Sequence, residues 1–147
     1  MVRKASAVWN GSLKEGKGTI STESGVFSKT QYSFATRFEN GAGTNPEELI
    51  AAAHAGCFTM ALSAQLGNAG ITPESLETTA AVTLEKLEAG FTITKVHLDV
   101  AARIPGVDRA AFEKAAENAK AGCPISRLLK AEIMMTAKLS DERAISA

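Results

Sequence analysis

Thr44-Asn45-Pro46-Glu47-Glu48-Leu49-Ile50-Ala51-Ala52-Ala53-His54-Ala55-Gly56-Cys57-Phe58-Thr59-Met60-Ala61-Leu62-Ser63-Ala64-Gln65-Leu66 is the stretch around which the rest of the chain is organised. Its opening reads as a helix start. Asn45 can cap, Pro46 fits the first turn without losing a needed N–H, and Glu47 and Glu48 sit at the positive end of the helix dipole. Gly67 and Gly70 stop the helix near Leu66. Leu49, Ile50, Ala53, Cys57, Met60, Ala61 and Ala64 form one apolar stripe, while Ala51, Ala52, Ala55, Phe58 and Leu62 cover much of the remainder. A helix apolar nearly all round needs cover on every side. One small domain is poorly able to supply that alone, so the expectation is a second copy of the chain.

On either side of this helix the pattern changes to strands. Ala5, Ala7 and Trp9 alternate with Ser6 and Val8 before an Asn10-Gly11 turn, and Gly18 to Glu23 makes a second strand. Tyr32, Phe34, Thr36 and Phe38 alternate with Ser33, Ala35 and Arg37, which predicts a third strand ending at the Asn40-Gly41-Ala42-Gly43 loop. Beyond the helix, Ala80, Val82 and Leu84 lead through Leu87-Glu88-Ala89-Gly90 into a hairpin partner. In that partner the apolar phase switches near Thr94-Lys95, the mark of a bulge or of a strand covered on both faces. Asp108 caps a helix striped by Phe112, Ala115, Ala116 and Ala119; Gly122-Cys123-Pro124 breaks it, and a short helix runs from Ile125 to about Lys130. Ile133, Met135, Ala137 and Leu139 alternate as a last strand. Strands interleaved with single helices predict an α+β fold with mainly antiparallel sheet, as a single domain over residues 1–147.

The chain has 147 residues, 22% of them charged and 45% apolar, which is globular rather than disordered composition. Sixteen Lys plus Arg balance 16 Asp plus Glu, leaving no basic footprint for nucleic acid or an anionic membrane. The apolar run from Leu49 to Ala64 is short for a membrane span and is interrupted by His54, Gly56 and Thr59. Met1 to Ser6 has no apolar signal core. The expectation is a cytoplasmic protein whose thiols start reduced.

Against that background the two cysteines, Cys57 and Cys123, carry the chemistry. A cysteine pair in a reducing compartment points to redox work more than to a structural staple. Thiolate is the reactive form, favoured by helix N-termini and nearby cations and disfavoured by apolar burial. Cys123 stands where it can cap the short helix. Cys57 lies mid-helix, so as an attacking thiol it needs an imported cation, and Arg37 or His54 can supply it. Each residue also has a plainer reading: packed cysteines, an exposed strand arginine, a packed histidine, and two glutamates that merely offset the dipole. His54, Cys57, His97 and Cys123 have the residue types of a metal site without zinc spacing, so neither metal nor cofactor is expected. No Gly-rich phosphate loop and no Ser-His-Asp arrangement can be argued from the sequence.

Four segments together resemble the osmotically inducible protein C and organic hydroperoxide resistance (OsmC/Ohr) family, on its OsmC side. They are Gly18-Thr19-Ile20-Ser21-Thr22-Glu23-Ser24-Gly25, Thr36-Arg37-Phe38-Glu39, the run from Gly43 through Phe58, and Lys120-Ala121-Gly122-Cys123-Pro124-Ile125-Ser126. The resemblance implies an intertwined homodimer in which sheets wrap two long central helices, with sites at the subunit interface. It also implies a thiol-dependent peroxidase acting on organic hydroperoxides and less readily on hydrogen peroxide. Cys57 takes the place of the attacking cysteine, Cys123 of the resolving one, Arg37 of the partner arginine and Glu47 of the glutamate that holds it. The implied reductant is a dithiol, including lipoyl groups on partner proteins, and the implied alkyl wall includes Phe38, Phe58, Met60 and Leu128. Ten positions of straight helix separate Glu47 from Cys57, about 15 Å along the axis. The pair that cooperates is therefore expected to come from two subunits with antiparallel central helices. The competing reading is a non-catalytic dimeric stress protein that binds an apolar ligand and keeps its cysteines merely buried.

Overall fold

The computed structural model describes residues 1–140 and divides into two compact units, Met1–Leu49 and Ile50–Ala147. In the first unit, β1 (Ala5–Asn10), β2 (Lys17–Thr22) and β3 (Thr30–Tyr32) form an antiparallel sheet in that order. Register places Trp9, Gly18 and Tyr32 in one row across the three strands. The Trp9 and Tyr32 rings meet edge-on, 5.5 Å between centroids, directly over Gly18. A Cβ at position 18 would lie 2.5 Å from both rings, so the contact requires glycine there.

The third predicted strand is only partly a strand. After Tyr32 the chain turns into a short helix, α1 (Phe34–Phe38), rather than continuing extended to Phe38. The alternation was genuine, but Phe34 and Phe38 are also four apart, a spacing that suits one helix face, and their rings stack with centroids 5.0 Å apart. Local polar chemistry decides between the two periods. Ser33 Oγ accepts from the Thr36 N–H at 3.3 Å, and Thr36 Oγ1 accepts from the Ser33 N–H at 2.8 Å, a reciprocal capping box. Asn45 Nδ2 then donates to the Thr36 carbonyl at 2.9 Å, while its Oδ1 accepts from the Glu48 N–H at 2.8 Å. One asparagine thus caps the next helix and ties it to α1.

That next helix, α2, runs Pro46–Asn68 and continues from the first unit into the second. Its buried residues are His54, Phe58, Leu62 and Leu66, a row at every fourth position, with Cys57 and Ala61 packed partly beside it. The inward face is therefore centred one position on from the stripe expected from composition, and Met60 is 77% exposed. The row gathers Phe58, Leu62 and Leu66 into the core, while Met60 and most of the alanines lie outside it. Among the described residues α2 is the one helix long and apolar enough to cross a membrane by length and composition, and only 22% of its most apolar window is buried.

In the second unit, β4 (Ser75–Leu87) and β5 (Gly90–Arg103) form an antiparallel hairpin closed by Glu88-Ala89. Thr83 faces Lys95 and Leu84 faces Ile93, so Thr94 is skipped; this is the bulge signalled by the phase switch. Asp108 caps α3 (Arg109–Gly122) through its side chain, and α4 (Pro124–Leu128) follows at once. The chain then returns as β6 (Glu132–Ser140), parallel to β5, because a helical crossover brings it back in the same direction. The α+β expectation stands, with one parallel pair added to the antiparallel ones. Val96, Leu98, Val100 and Ala102 project from one face of β5 into a core with Phe58, Leu62 and Leu66 of α2 and Phe112, Ala115, Ala116 and Ala119 of α3. Cys123 is fully buried at its edge.

Candidate active site

Two pairs of side chains stand out, one in each unit. In the first unit, Arg37 occupies the last turn of α1 and Glu47 the first turn of α2. Its Nε and Nη2 both donate to Glu47 Oε1, at 3.1 and 2.9 Å, and Nε also reaches Oε2 at 3.3 Å. The capping box and Asn45 support this geometry, since they hold α1 against the first turn of α2. The glutamate side chain is 12% exposed and the arginine 39%, so the fork is anchored at its acidic end and open at its basic end. Arg37 also lies 5.2 Å from the Phe38 ring centre. Neither an extended strand nor an isolated surface arginine describes its position.

Beside this fork lies a cavity of about 430 Å³ lined by Trp9, Leu13, Tyr32, Phe34, Phe38 and Arg37. Its walls are mainly aromatic, and Arg37 is the one charged group among them. Of the residues expected in an alkyl wall, Phe38 is here. Phe58 is not available, because it is completely buried in the core of the second unit. Met60 and Leu128 are exposed, at 77% and 74%.

In the second unit, Cys57 of α2 and Cys123 at the α3–α4 junction share a hydrogen bond with their sulfurs 2.9 Å apart, and both are free thiols. Cys123 is held from both sides: its N–H donates to the Ala119 carbonyl at 2.9 Å and its carbonyl accepts from Arg127 at 3.0 Å. It occupies the cap position of α4, yet its side chain makes no capping hydrogen bond. Burial pushes the Cys57 thiol above its ordinary pKa and the hydrogen bond to Cys123 adds to this, while the Ile125 amide, hydrogen-bonded to the sulfur, pulls the other way. In this setting Cys57 rests as a thiol. As an attacking thiol Cys57 would need the imported cation expected from its mid-helix position, because burial disfavours its thiolate.

His54 does not meet that need. Its ring is completely buried and burial lowers its pKa, so it is neutral. Its Nε2 lies 2.8 Å from Ser126 Oγ, and Nδ1 has no partner among the described residues. His97 is engaged elsewhere, 3.1 Å from Thr136 across β5 and β6. Among the described residues no three of His, Cys, Asp and Glu converge as metal ligands would. Ser126 and the Trp9–Tyr32 wall escaped the sequence reading. A signal for Ser126 did exist: it follows Cys123 by three positions, just as His54 precedes Cys57 by three.

Relatives share this arrangement of elements. Residues 39–138 match the family described as OsmC-like protein. The chain is 56% identical over 137 residues to peroxiredoxin OsmC of Escherichia coli K12, covering 93% of this chain and 96% of that one. It is 33% identical over 101 residues to the organic hydroperoxide resistance protein of Xanthomonas axonopodis pv. citri, 68% of this chain and 69% of that one. The crystal structure of the organic hydroperoxide resistance protein OhrB of Bacillus subtilis matches with a TM-score of 0.72 at 27% identity, covering 92% and 98% of the two chains. An OsmC-like protein of Vibrio cholerae shares the fold with a TM-score of 0.75 at 21% identity, over 94% and 99%. A family match across about two thirds of the chain and a relative aligned along nearly all of it lead to one conclusion: this protein is a member of the OsmC-like family.

Proposed function

We propose that the protein is a two-cysteine, thiol-dependent peroxidase that reduces organic hydroperoxides to alcohols. The observation that carries the reading is the pair of free sulfurs 2.9 Å apart. A disulfide needs about 2.05 Å, so less than one ångström of local adjustment joins them. The names of the relatives, peroxiredoxin and organic hydroperoxide resistance protein, point the same way.

The steps follow from thiol chemistry. The Cys57 thiolate attacks one peroxide oxygen, the O–O bond breaks, and the alkoxide takes a proton and leaves as the alcohol. Cys57 is left as the sulfenic acid. Cys123 attacks that sulfur, the hydroxyl leaves as water, and a disulfide forms before a second peroxide can oxidise Cys57 further. A dithiol, free or carried as a lipoyl group on a partner protein, restores both thiols by exchange and is itself oxidised.

Arg37 is the cation that stabilises the Cys57 thiolate, and Glu47 holds the guanidinium in place. About 15 Å of helix rise separates Glu47 from the Cys57 of its own chain. The functional unit in this reading is therefore a cytoplasmic homodimer of single OsmC-like domains, each fork serving the sulfurs of the other copy. The dimer would also cover the apolar face of α2 that the chain leaves open. The aromatic cavity beside Arg37 supports an organic substrate over hydrogen peroxide, which has no carbon group to bury there.

Treatment of the reduced protein with one equivalent of cumene hydroperoxide tests the reading. Loss of both free thiols, a Cys57–Cys123 disulfide in the peptide map, and turnover sustained by dithiothreitol are the expected results. Thiols that survive the peroxide would instead fit a non-catalytic binder of apolar ligands and overturn the proposal.

A further inference from the structure

Among the described residues, two hydrogen bonds between side chains join α2 to the segment that carries Cys123. The first is the sulfur pair. The second is His54 Nε2 to Ser126 Oγ at 2.8 Å, between residues three positions before Cys57 and three positions after Cys123. The histidine ring is completely buried. Among the described residues its Nδ1 has no partner, which favours one polarity of the hydrogen bond. An N–H left unpaired in the interior costs more than an unpaired lone pair on a ring that is otherwise packed. That balance favours the proton on Nε2, donated to Ser126 Oγ. A buried histidine satisfied at one nitrogen alone is expensive to keep for packing when an apolar ring would serve.

We propose that the His54–Ser126 hydrogen bond is a positioning clamp for the resolving step, holding α4 against α2 so that Cys123 stays within reach of oxidised Cys57. The proposal rests on the peroxidase reading for its biological meaning, but the clamp itself acts on disulfide formation by any oxidant. Cys123 sits at a junction between two helices, and α4 is a five-residue helix with no buried residue of its own. Ile125 and the C-cap Leu129 pack partly against the core, and polar contacts add to this hold. The Ile125 amide at the Cys57 sulfur is one of them, and Ser126 is the next residue along. Loosening the clamp leaves the attack on peroxide unchanged, since the two side chains hydrogen-bond to each other and not to either sulfur. It lowers the effective concentration of Cys123 at Cys57. The sulfenic acid then survives longer, and a second peroxide converts more of it to sulfinic acid.

The test uses the full chain with Ser126→Ala, Ser126→Thr and the double variant His54→Phe/Ser126→Ala. The double variant replaces both polar partners by apolar groups of similar shape, a change that can leave folding stability nearly intact. Each protein is equilibrated with a dithiothreitol redox buffer, and its Cys57–Cys123 disulfide is quantified by thiol alkylation and mass spectrometry. Ser126→Ala and the double variant are expected to lower the equilibrium constant for disulfide formation about tenfold, a rise of about 30 mV in reduction potential. Ser126→Thr, which keeps the hydroxyl, is expected to match the wild type. With excess peroxide, the same two variants should gain sulfinic acid at Cys57 while the rate of the first oxidation stays within about twofold. A potential unchanged or made more negative in the folded double variant overturns the clamp. If the potential shifts as expected but wild-type thiols ignore peroxide, the peroxidase reading fails and the clamp survives.

Discussion

The two candidate half-sites are built on opposite principles. In the first unit, Arg37 and Glu47 form a charged, three-contact fork whose basic end remains open to solvent. In the second, Cys57 and Cys123 are joined by one soft contact in an apolar setting that favours the protonated form of Cys57. One half stores charge and lacks a nucleophile. The other holds a nucleophile and, among the influences that act on Cys57, has no cation. In the peroxidase reading proposed above, the difference accounts for why neither half would act alone. A guanidinium is always charged and can be held ready at little cost near water. A thiolate prepared permanently in the interior would be costly and open to indiscriminate oxidation, so its ionisation is best left to the moment when charge is brought to it.

The largest effect should come from removing the sulfurs. Cys57→Ser is expected to abolish peroxide consumption altogether, followed as loss of hydroperoxide in a colorimetric assay. Cys123→Ser should consume the first equivalent at nearly the normal rate, then stall with Cys57 as sulfinic acid, visible by intact mass. Equal loss in the two variants would erase the division between attacker and resolver.

Next comes the charge. Arg37→Met should slow the first oxidation by roughly a hundredfold, the scale of losing one preorganised electrostatic partner of a reacting group. Glu47→Gln should cost roughly tenfold, because it removes the anchor and not the cation. The pH profile sharpens the point. Burial raises the Cys57 pKa, so the thiolate fraction falls as pH falls. In Arg37→Met the rate should therefore keep climbing to a higher pH than in the wild type. Coincident profiles would show that Arg37 does not ionise the thiol.

Smaller effects fall on the supports of each half. Ser33→Ala removes one member of the capping box, for a stability loss of about 1 kcal/mol by urea unfolding. Because α1 carries Arg37, it should also slow the first oxidation several-fold with no change in the cysteine reduction potential. On the other side, burial depresses the pKa of His54 below 6.5, so the unfolded chain binds its proton first on acidification. The stability this neutral ring contributes is present above pH 6.5 and is lost as pH falls, by at most about 1.4 kcal/mol per pH unit. Comparing His54→Phe with the wild type at pH 5 and pH 7 should show a weaker acid dependence in the variant.

How much of this could be read from the chain is uneven. Asn45-Pro46-Glu47 announced the long helix through capping chemistry that acts within four residues, and Asp108 did the same for α3. The bulge at Thr94 was legible because a change of apolar phase has few other causes. The stretch from Tyr32 to Phe38 was misread because its aromatics fit both a strand and a helix, and only the Ser33–Thr36 hydrogen bonds separate the two. Cys57, Cys123, Arg37 and Glu47 could be proposed from the sequence because the segments that carry the family resemblance are local. Ser126 was not, because a serine on a short helix has no signature until its partner is known.

The sequence by itself determined which elements form and which residue types are available, since caps, turns and apolar periods act over a few positions. Tertiary structure decided which face of α2 turns inward, whether His54 carries charge, and that sulfurs 66 residues apart meet. Those outcomes depend on which side chains share a core and on how much water remains at each group. No local pattern encodes either quantity, because both are set by contacts between distant parts of the chain.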